Sequence, residues 1–181
     1  FENITCFGYQ NGEIVLAPTG GVLPYNYQWS HNGTLNNDSA MNLGPGNYEV
    51  TVVDYNSCTQ VTQIELTQPD PLLANIEKKI ISCYGFNDGA FMITMFGGTP
   101  EYNYNWDNGF DGAVQDMMEP GIYQLLITDQ LGCFIDTTLQ LIEPDKLVIN
   151  PTIQRPTCAD IQNGSIELNI SGGRTPYTVY W

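Results

Sequence analysis

The sequence predicts an all-β protein built as small antiparallel β-sandwich domains in a tandem, extended array. Three observations carry this expectation. The chain repeats itself with a period of about 75 residues. The apolar runs inside each unit are short and alternate with a period of two, and Gly, Pro or Asn bounds each run.

The repeat is read from its landmarks. Cys6, Cys83 and Cys158 open successive units, Gly20-Gly21 recurs as Gly97-Gly98 and Gly172-Gly173, and Trp29 recurs as Trp106 and Trp181. Later in the unit Pro45-Gly46-Asn47-Tyr48 answers to Pro120-Gly121-Ile122-Tyr123, Asp54 to Asp129, Cys58 to Cys133 and Pro69 to Pro144. Repeat 1 carries two more residues than repeat 2, placed by the change in offset near residues 31–40. The units are residues 1–69, 70–144 and 145–181, the first lacking the front of its first strand and the third stopping part-way. The chain thus reads as a window on a longer array.

Within a unit the strands follow in order. Residues 72–80 alternate, then residues 90–96 (14–17 in repeat 1), then Tyr25-x-Tyr27-x-Trp29, then Tyr48-x-Val50-x-Val52, then residues 59–66. Tyr25, Tyr27 and Trp29, copied as Tyr102, Tyr104 and Trp106, alternate with Asn and Gln and are expected on the core face. Six or seven strands per unit are expected, with no helical stripe. Asn11-Gly12, Asp88-Gly89 and Asn163-Gly164 are expected to take positive φ in tight turns. Pro45-Gly46 precedes Tyr48 as a turn precedes the tyrosine corner of immunoglobulin-like sandwiches, where the hydroxyl ties the turn down.

Composition excludes several partners. Twenty Asp and Glu face five Lys and Arg, a net charge of −15, which argues against nucleic acid or an anionic membrane surface as a partner. No apolar run approaches the ~20 residues that span a bilayer. With 42% hydrophobic and 12% aromatic residues the chain has material for a core.

The repeat organises the cysteines. Four of them pair in three ways, and Cys6–Cys58 with Cys83–Cys133 gives two repeats the same internal bridge. Cys158 is then left with a partner about 50 residues further on, by the same spacing. Zinc sites use close ligand pairs, and no two cysteines here are close. Each bridge would close a loop of about 50 residues, worth about 4 kcal/mol to a thin core. An oxidising compartment follows: extracellular, cell-surface or periplasmic.

Catalytic chemistry is not found. His31 is the sole histidine and lies in the variable loop, the Gly-Gly pairs are followed by no phosphate-loop Lys, and Asp107 and Asp111 are loop residues of an acidic chain. Calcium is a candidate ligand, with Asp70 and Asp145 at the joints and Asp54 and Asp129 near the second cysteines, although no D-x-D-x-D-G loop is present. The competing role for Asp54 and Asp129 is to accept backbone hydrogen bonds in their turns. If sugars bind, loop aromatics such as Phe110 are the candidates.

The combined pattern resembles the SprB repeat. It runs Cys-x-Gly, Asn/Asp-Gly, Gly-Gly-x-x-Pro-Tyr-x-Tyr-x-Trp, Pro-Gly-x-Tyr-x-Val-x-Val-x-Asp, Cys and a closing Gln-Pro, from Cys6 to Pro69, Cys83 to Pro144 and, in part, Cys158 to Trp181. Repeat 2 departs at Thr99-Pro100-Glu101-Tyr102, in Leu125 and Ile127 for the valines, and in Glu143 for the Gln. The resemblance implies very large, filamentous cell-surface adhesins of gliding bacteria, exported by type IX secretion, with bacterial O-glycosylation at Asp-Ser/Thr sites such as Ser39 and Thr137. The expected function is a non-catalytic stalk or filament segment. Its partners are further copies of the repeat, with surface polysaccharide or other cells beyond. The alternatives are a glycan-binding array, or accessory domains of a secreted hydrolase.

Overall fold

In a computed structural model that describes residues 1–158 and 161–181, the described residues form thirteen strands and no helix. Repeat 1 contributes β1 (Gly12–Val15), β2 (Asn26–Trp29), β3 (Ser39–Leu43), β4 (Gly46–Val53) and β5 (Thr59–Leu66). Repeat 2 contributes β6 (Leu73–Lys79), β7 (Gly89–Phe96), β8 (Asn103–Trp106), β9 (Val114–Met118), β10 (Gly121–Thr128) and β11 (Phe134–Leu141). Repeat 3 contributes β12 (Val148–Gln154) and β13 (Ser165–Ser171). The sheets are β1-β3, β2-β4-β5, β6-β7-β9, β8-β10-β11 and β12-β13, with antiparallel pairing in every register resolved.

The chain divides into two compact units whose bounds cut across the sequence repeats. One gathers Phe1–Ala74, Met95–Asn103 and Ile127–Ile135; the other gathers Asn75–Thr94, Tyr104–Leu126 and Asp136–Trp181. The first therefore holds all of repeat 1 together with residues 70–74, 95–103 and 127–135 of repeat 2.

In the first unit β1-β3 faces β2-β4-β5 across a core of Ile4, Ile14, Trp29, Ala40, Leu43, Val50 and Leu66. Alternation brings this about: Trp29 is buried and Tyr27 half-buried, while Asn26 and Gln28 face water. Tyr104 and Trp106 repeat the pattern in β8. In the second unit Trp106 stacks on Phe91 at 5.9 Å, and Tyr123 meets the same Phe91 edge-on at 6.4 Å. Aromatic pairs of this geometry add to the area term of burial.

Two expectations are corrected here. The Asn-Gly and Asp-Gly pairs are not positive-φ turns, for none of these residues has positive φ. Gly12 and Gly89 instead open β1 and β7 where no side chain fits: a Cβ would lie 2.9 Å from Leu66 Cδ1 or 2.8 Å from Leu141 Cδ1 respectively. The Asn or Asp before each glycine has its own task. Asn11, Asp88 and Asn163 accept the N–H of Thr5, Ser82 and Thr157 through Oδ1, fixing the residue just ahead of each opening cysteine.

The second concerns strands without a period-two signature. β3 and β9 each carry a bulge: the three residues from Gly12 to Ile14 of β1 lie opposite the four from Leu43 to Ala40 of β3, and β7 and β9 do the same. Asn42 (φ 57°) and Met117 (φ 53°) take the left-handed turn this demands. The bulge puts the buried Ala40 and Leu43 three apart, so alternation cannot reveal them. Nine residues link β2 to β3 and seven link β8 to β9, which locates the two extra residues of repeat 1.

Candidate functional site

The chemistry of the chain is concentrated at its cysteine loops. The opening-cysteine loop is built from local hydrogen bonds. Tyr9 N–H donates to Cys6 O and Phe86 N–H to Cys83 O. Gly8 and Gly85 take positive φ, and their N–H groups reach the end of the unit, donating to Gln68 Oε1 (2.8 Å) and Glu143 Oε2 (2.6 Å). Gln68 and Glu143 lie just past the ends of β5 and β11, so each opening cysteine is anchored at that end of its repeat.

The second cysteine stands at the other end. Cys58 immediately precedes β5 and Cys133 immediately precedes β11. Each is held by the aspartate four residues before it. Asp54 accepts Cys58 N–H at 2.8 Å and Val22 N–H at 3.0 Å. Asp129 accepts Cys133 N–H at 2.9 Å, Leu131 N–H at 3.0 Å and Thr99 N–H at 2.8 Å. The bonds from Cys58 and Val22 hold the Asp54 carboxyl below the usual carboxylate range.

This geometry overturns the bridges expected within each repeat. An eight-residue strand separates Cys58 from the Cys6 loop, roughly 25 Å at strand rise, whereas a disulfide needs Cα atoms within about 7 Å. Cys6 is bonded instead to Cys133 of the next repeat, with Cα atoms 5.6 Å apart and 127 residues between them. Both of these cysteines are buried, whereas Cys58, Cys83 and Cys158 are free and exposed. The repeat identifies which cysteines are equivalent but not which boundary the bond crosses.

The Gly-Gly turn lies beside the second cysteine. Val22 and Thr99, which follow the two glycines, are the residues held by Asp54 and Asp129. Tyr25 donates to Gly20 O, Tyr102 to Gly97 O at 2.7 Å and Tyr177 to Gly172 O, closing each turn. The tyrosine-corner residues also perform as expected, Tyr48 donating to Gly44 O at 2.9 Å and Tyr123 to Glu119 O at 2.8 Å. Burial, with Glu119 and Asp107 nearby, raises the Tyr123 phenol and keeps it a donor.

The remaining candidates are not brought together. Among the described residues no three His, Cys, Asp or Glu side chains gather where a metal could bind. Asp54 and Asp129 spend their oxygens on backbone N–H groups, while Asp70 and Asp145 are exposed and act through backbone carbonyls, accepting Gly98 N–H (2.9 Å) and Gly173 N–H (2.7 Å). His31 packs edge-on against Trp29 and Tyr48 at the surface. Ser39 opens β3 and Thr137 lies within β11, both half-buried. No helix among the described residues is long and apolar enough to cross a membrane.

The SprB repeat model matches residues 1–34, 81–110 and 150–181, together more than half of the chain. The chain belongs to the SprB repeat family. The three matches fall one in each sequence repeat and include every opening cysteine and Gly-Gly turn of these SprB repeats. No curated protein matches the sequence. Among solved structures, that of the amphioxus IgVJ-C2 molecule is similar at 15% identity and a TM-score of 0.35, covering 73% of this chain and 96% of that one. The opening Cys-x-Gly of the SprB pattern and its closing Gln-Pro are the two halves of one contact, Gly8 N–H to Gln68 Oε1. Glu143 replaces the Gln in repeat 2 and accepts the same bond.

Proposed function

We propose that the chain is a structural, non-catalytic segment of a large secreted bacterial cell-surface adhesin of the gliding type, exported by type IX secretion. The observation that carries this is the Cys6–Cys133 bond, which ties the opening cysteine of one repeat to the second cysteine of the next. Tension applied across the chain then bypasses the 127-residue separation between them and runs through a covalent bond. Membership of the SprB family supports the adhesin setting, and the net charge of −15 supports mutual repulsion of neighbouring stalks. The bond itself supports an oxidising location outside the cell.

Single-molecule stretching of the full chain from its two ends tests the reading. The oxidised chain is expected to withhold about 400 Å of extended length that appears only after reduction. Equal extension in both states removes the load-bearing role. A panel of surface polysaccharides should leave the melting temperature unmoved. A shift abolished by substituting an exposed loop aromatic such as Phe110 would instead make the chain a glycan-binding array.

A further inference from the structure

The two repeats that follow a joint carry it packed against their Gly-Gly turn. In repeat 2 a Cβ on Gly97 would lie 1.9 Å from Pro71 O, and one on Gly98 would lie 2.8 Å from Leu72 Cδ1. In repeat 3 a Cβ on Gly172 would lie 2.0 Å from Lys146 O, and one on Gly173 would lie 3.1 Å from Leu147 Cδ1. Past each joint the chain enters a strand: β12 pairs with β13 from Val148–Ser171 to Gln154–Ser165.

Repeat 1 has the same turn with no joint packed on it, Gly21 facing only Asp54. A Cβ on Gly20 would meet no atom within 4 Å, although Gly20 also has a positive φ. Residues 16–19, the counterparts of residues 168–171 in β13, form no strand. A groove of about 370 Å³ opens there, lined by Leu16, Pro18, Gly20, Tyr25, Asp54 and Cys58. Cys58 is exposed in that wall, held by Asp54 as the bonded Cys133 is held by Asp129. At the other kind of loop, Arg174 of repeat 3 donates to Ile81 O (2.6 Å) and Ser82 O (3.3 Å), so the Gly-Gly turn of repeat 3 is already beside the free Cys83.

We infer that the groove at Gly20 and Cys58 is a socket for a preceding SprB repeat of the same polypeptide: its joint lies on Gly20-Gly21, the strand after the joint extends along residues 16–19, and its opening cysteine bonds Cys58. The same rule assigns Cys83 to the second cysteine of the repeat that Cys158 opens. The opening cysteine of every repeat is thus bonded to the second cysteine of the repeat after it, and the bridges form a staggered ladder. Forming the Cys58 bond joins two sulfurs and releases two protons and two electrons. A disulfide oxidant takes them up and leaves as two thiols; oxidised glutathione serves in the test tube. The socket is a property of the repeat and is present whether or not the array carries load.

The test extends the full chain at its front by one repeat, a copy of residues 78–144 followed by the joint residues 70–77. After refolding with oxidised and reduced glutathione, peptide mapping without reduction reads the bonds, and the native Cys6–Cys133 pair reports correct folding. The expected map joins Cys58 to the opening cysteine of the added repeat, with alkylation of Cys58 by iodoacetamide at least tenfold slower than in the unextended chain. Cys58 alkylating as freely as Cys158, bonding Cys6, or bonding Cys158 of a second copy overturns the assignment. A shorter variant that adds only residues 70–77 isolates the groove. Hydrogen exchange at Thr19 and at Gly21, the counterpart of the bonded Gly98 and Gly173, should slow at least tenfold in it, and Gly20→Val should abolish that protection. Unchanged exchange on adding residues 70–77 refutes the socket even if the larger chain does not fold.

Discussion

The second-cysteine ends of repeats 1 and 2 share a sequence pattern and nearly share a backbone, yet they differ in what covers them. Gly20 and Gly97 have φ of +83° and +65°, Tyr25 and Tyr102 close the two turns, and Asp54 and Asp129 hold the two cysteines. At repeat 2 the joint lies on the turn and Cys133 is buried in a bond; at repeat 1 the turn is open and Cys58 is exposed. The difference separates two reasons for a glycine. One is the left-handed backbone, common to both ends; the other is contact with a neighbouring carbonyl, found only where the joint is in place.

The largest expected effect breaks the covered end. Cys133→Ala should cost about 5 kcal/mol of unfolding free energy by loss of the loop constraint. Cys58→Ala should stay within about 0.5 kcal/mol of the parent, as exposed substitutions do. Urea denaturation of the two variants checks the pair, and equal losses would show that Cys58 is bonded too. Next, Gly97→Ala combines left-handed strain with a clash on Pro71 O and should cost about 3 kcal/mol or more. Gly20→Ala carries the strain alone, about 1 kcal/mol. Asp129→Ala leaves the N–H groups of Thr99, Leu131 and Cys133 without their acceptor, at a cost of about 2–3 kcal/mol.

The smallest effect is a pH dependence at the open end. The Asp54 carboxyl titrates below its ordinary value in the folded chain, so its contribution is complete above the unfolded carboxylate range near pH ~3.9 and is withdrawn as pH falls through the lower folded value. Asp54→Asn lacks that titration. The gap in urea midpoint between parent and variant should therefore narrow as pH is lowered from 6 to 2, and a gap that widens would contradict the assigned hydrogen bonds.

Much of this was legible in the sequence because it depends on local pattern. The alternation of Tyr27 and Trp29 with Asn26 and Gln28 placed β2 on the core, and residues 59–66 are the strand β5. The turn before Tyr48 announced the hydroxyl that closes it. Other features depend on what meets across space. The bulges of β3 and β9 hid two strands from any period-two reading, and Gly12 looked like a turn glycine when its task is to let Leu66 approach. The bridge was the largest miss, because symmetry among Cys6, Cys58, Cys83 and Cys133 is the same for bonds within units and bonds between them. The length of β5 decides the matter, since a strand of eight residues keeps Cys58 out of reach of Cys6.

The span enclosed by the Cys6–Cys133 bond also bears on survival outside a cell, where proteases are plentiful. A single backbone cut anywhere between those two residues, in the exposed loop around Asn32 or at the joint near Asp70, leaves two fragments that stay attached to each other. A nicked molecule therefore keeps its distal end until a reductant, or a second cut outside the span, sets it free.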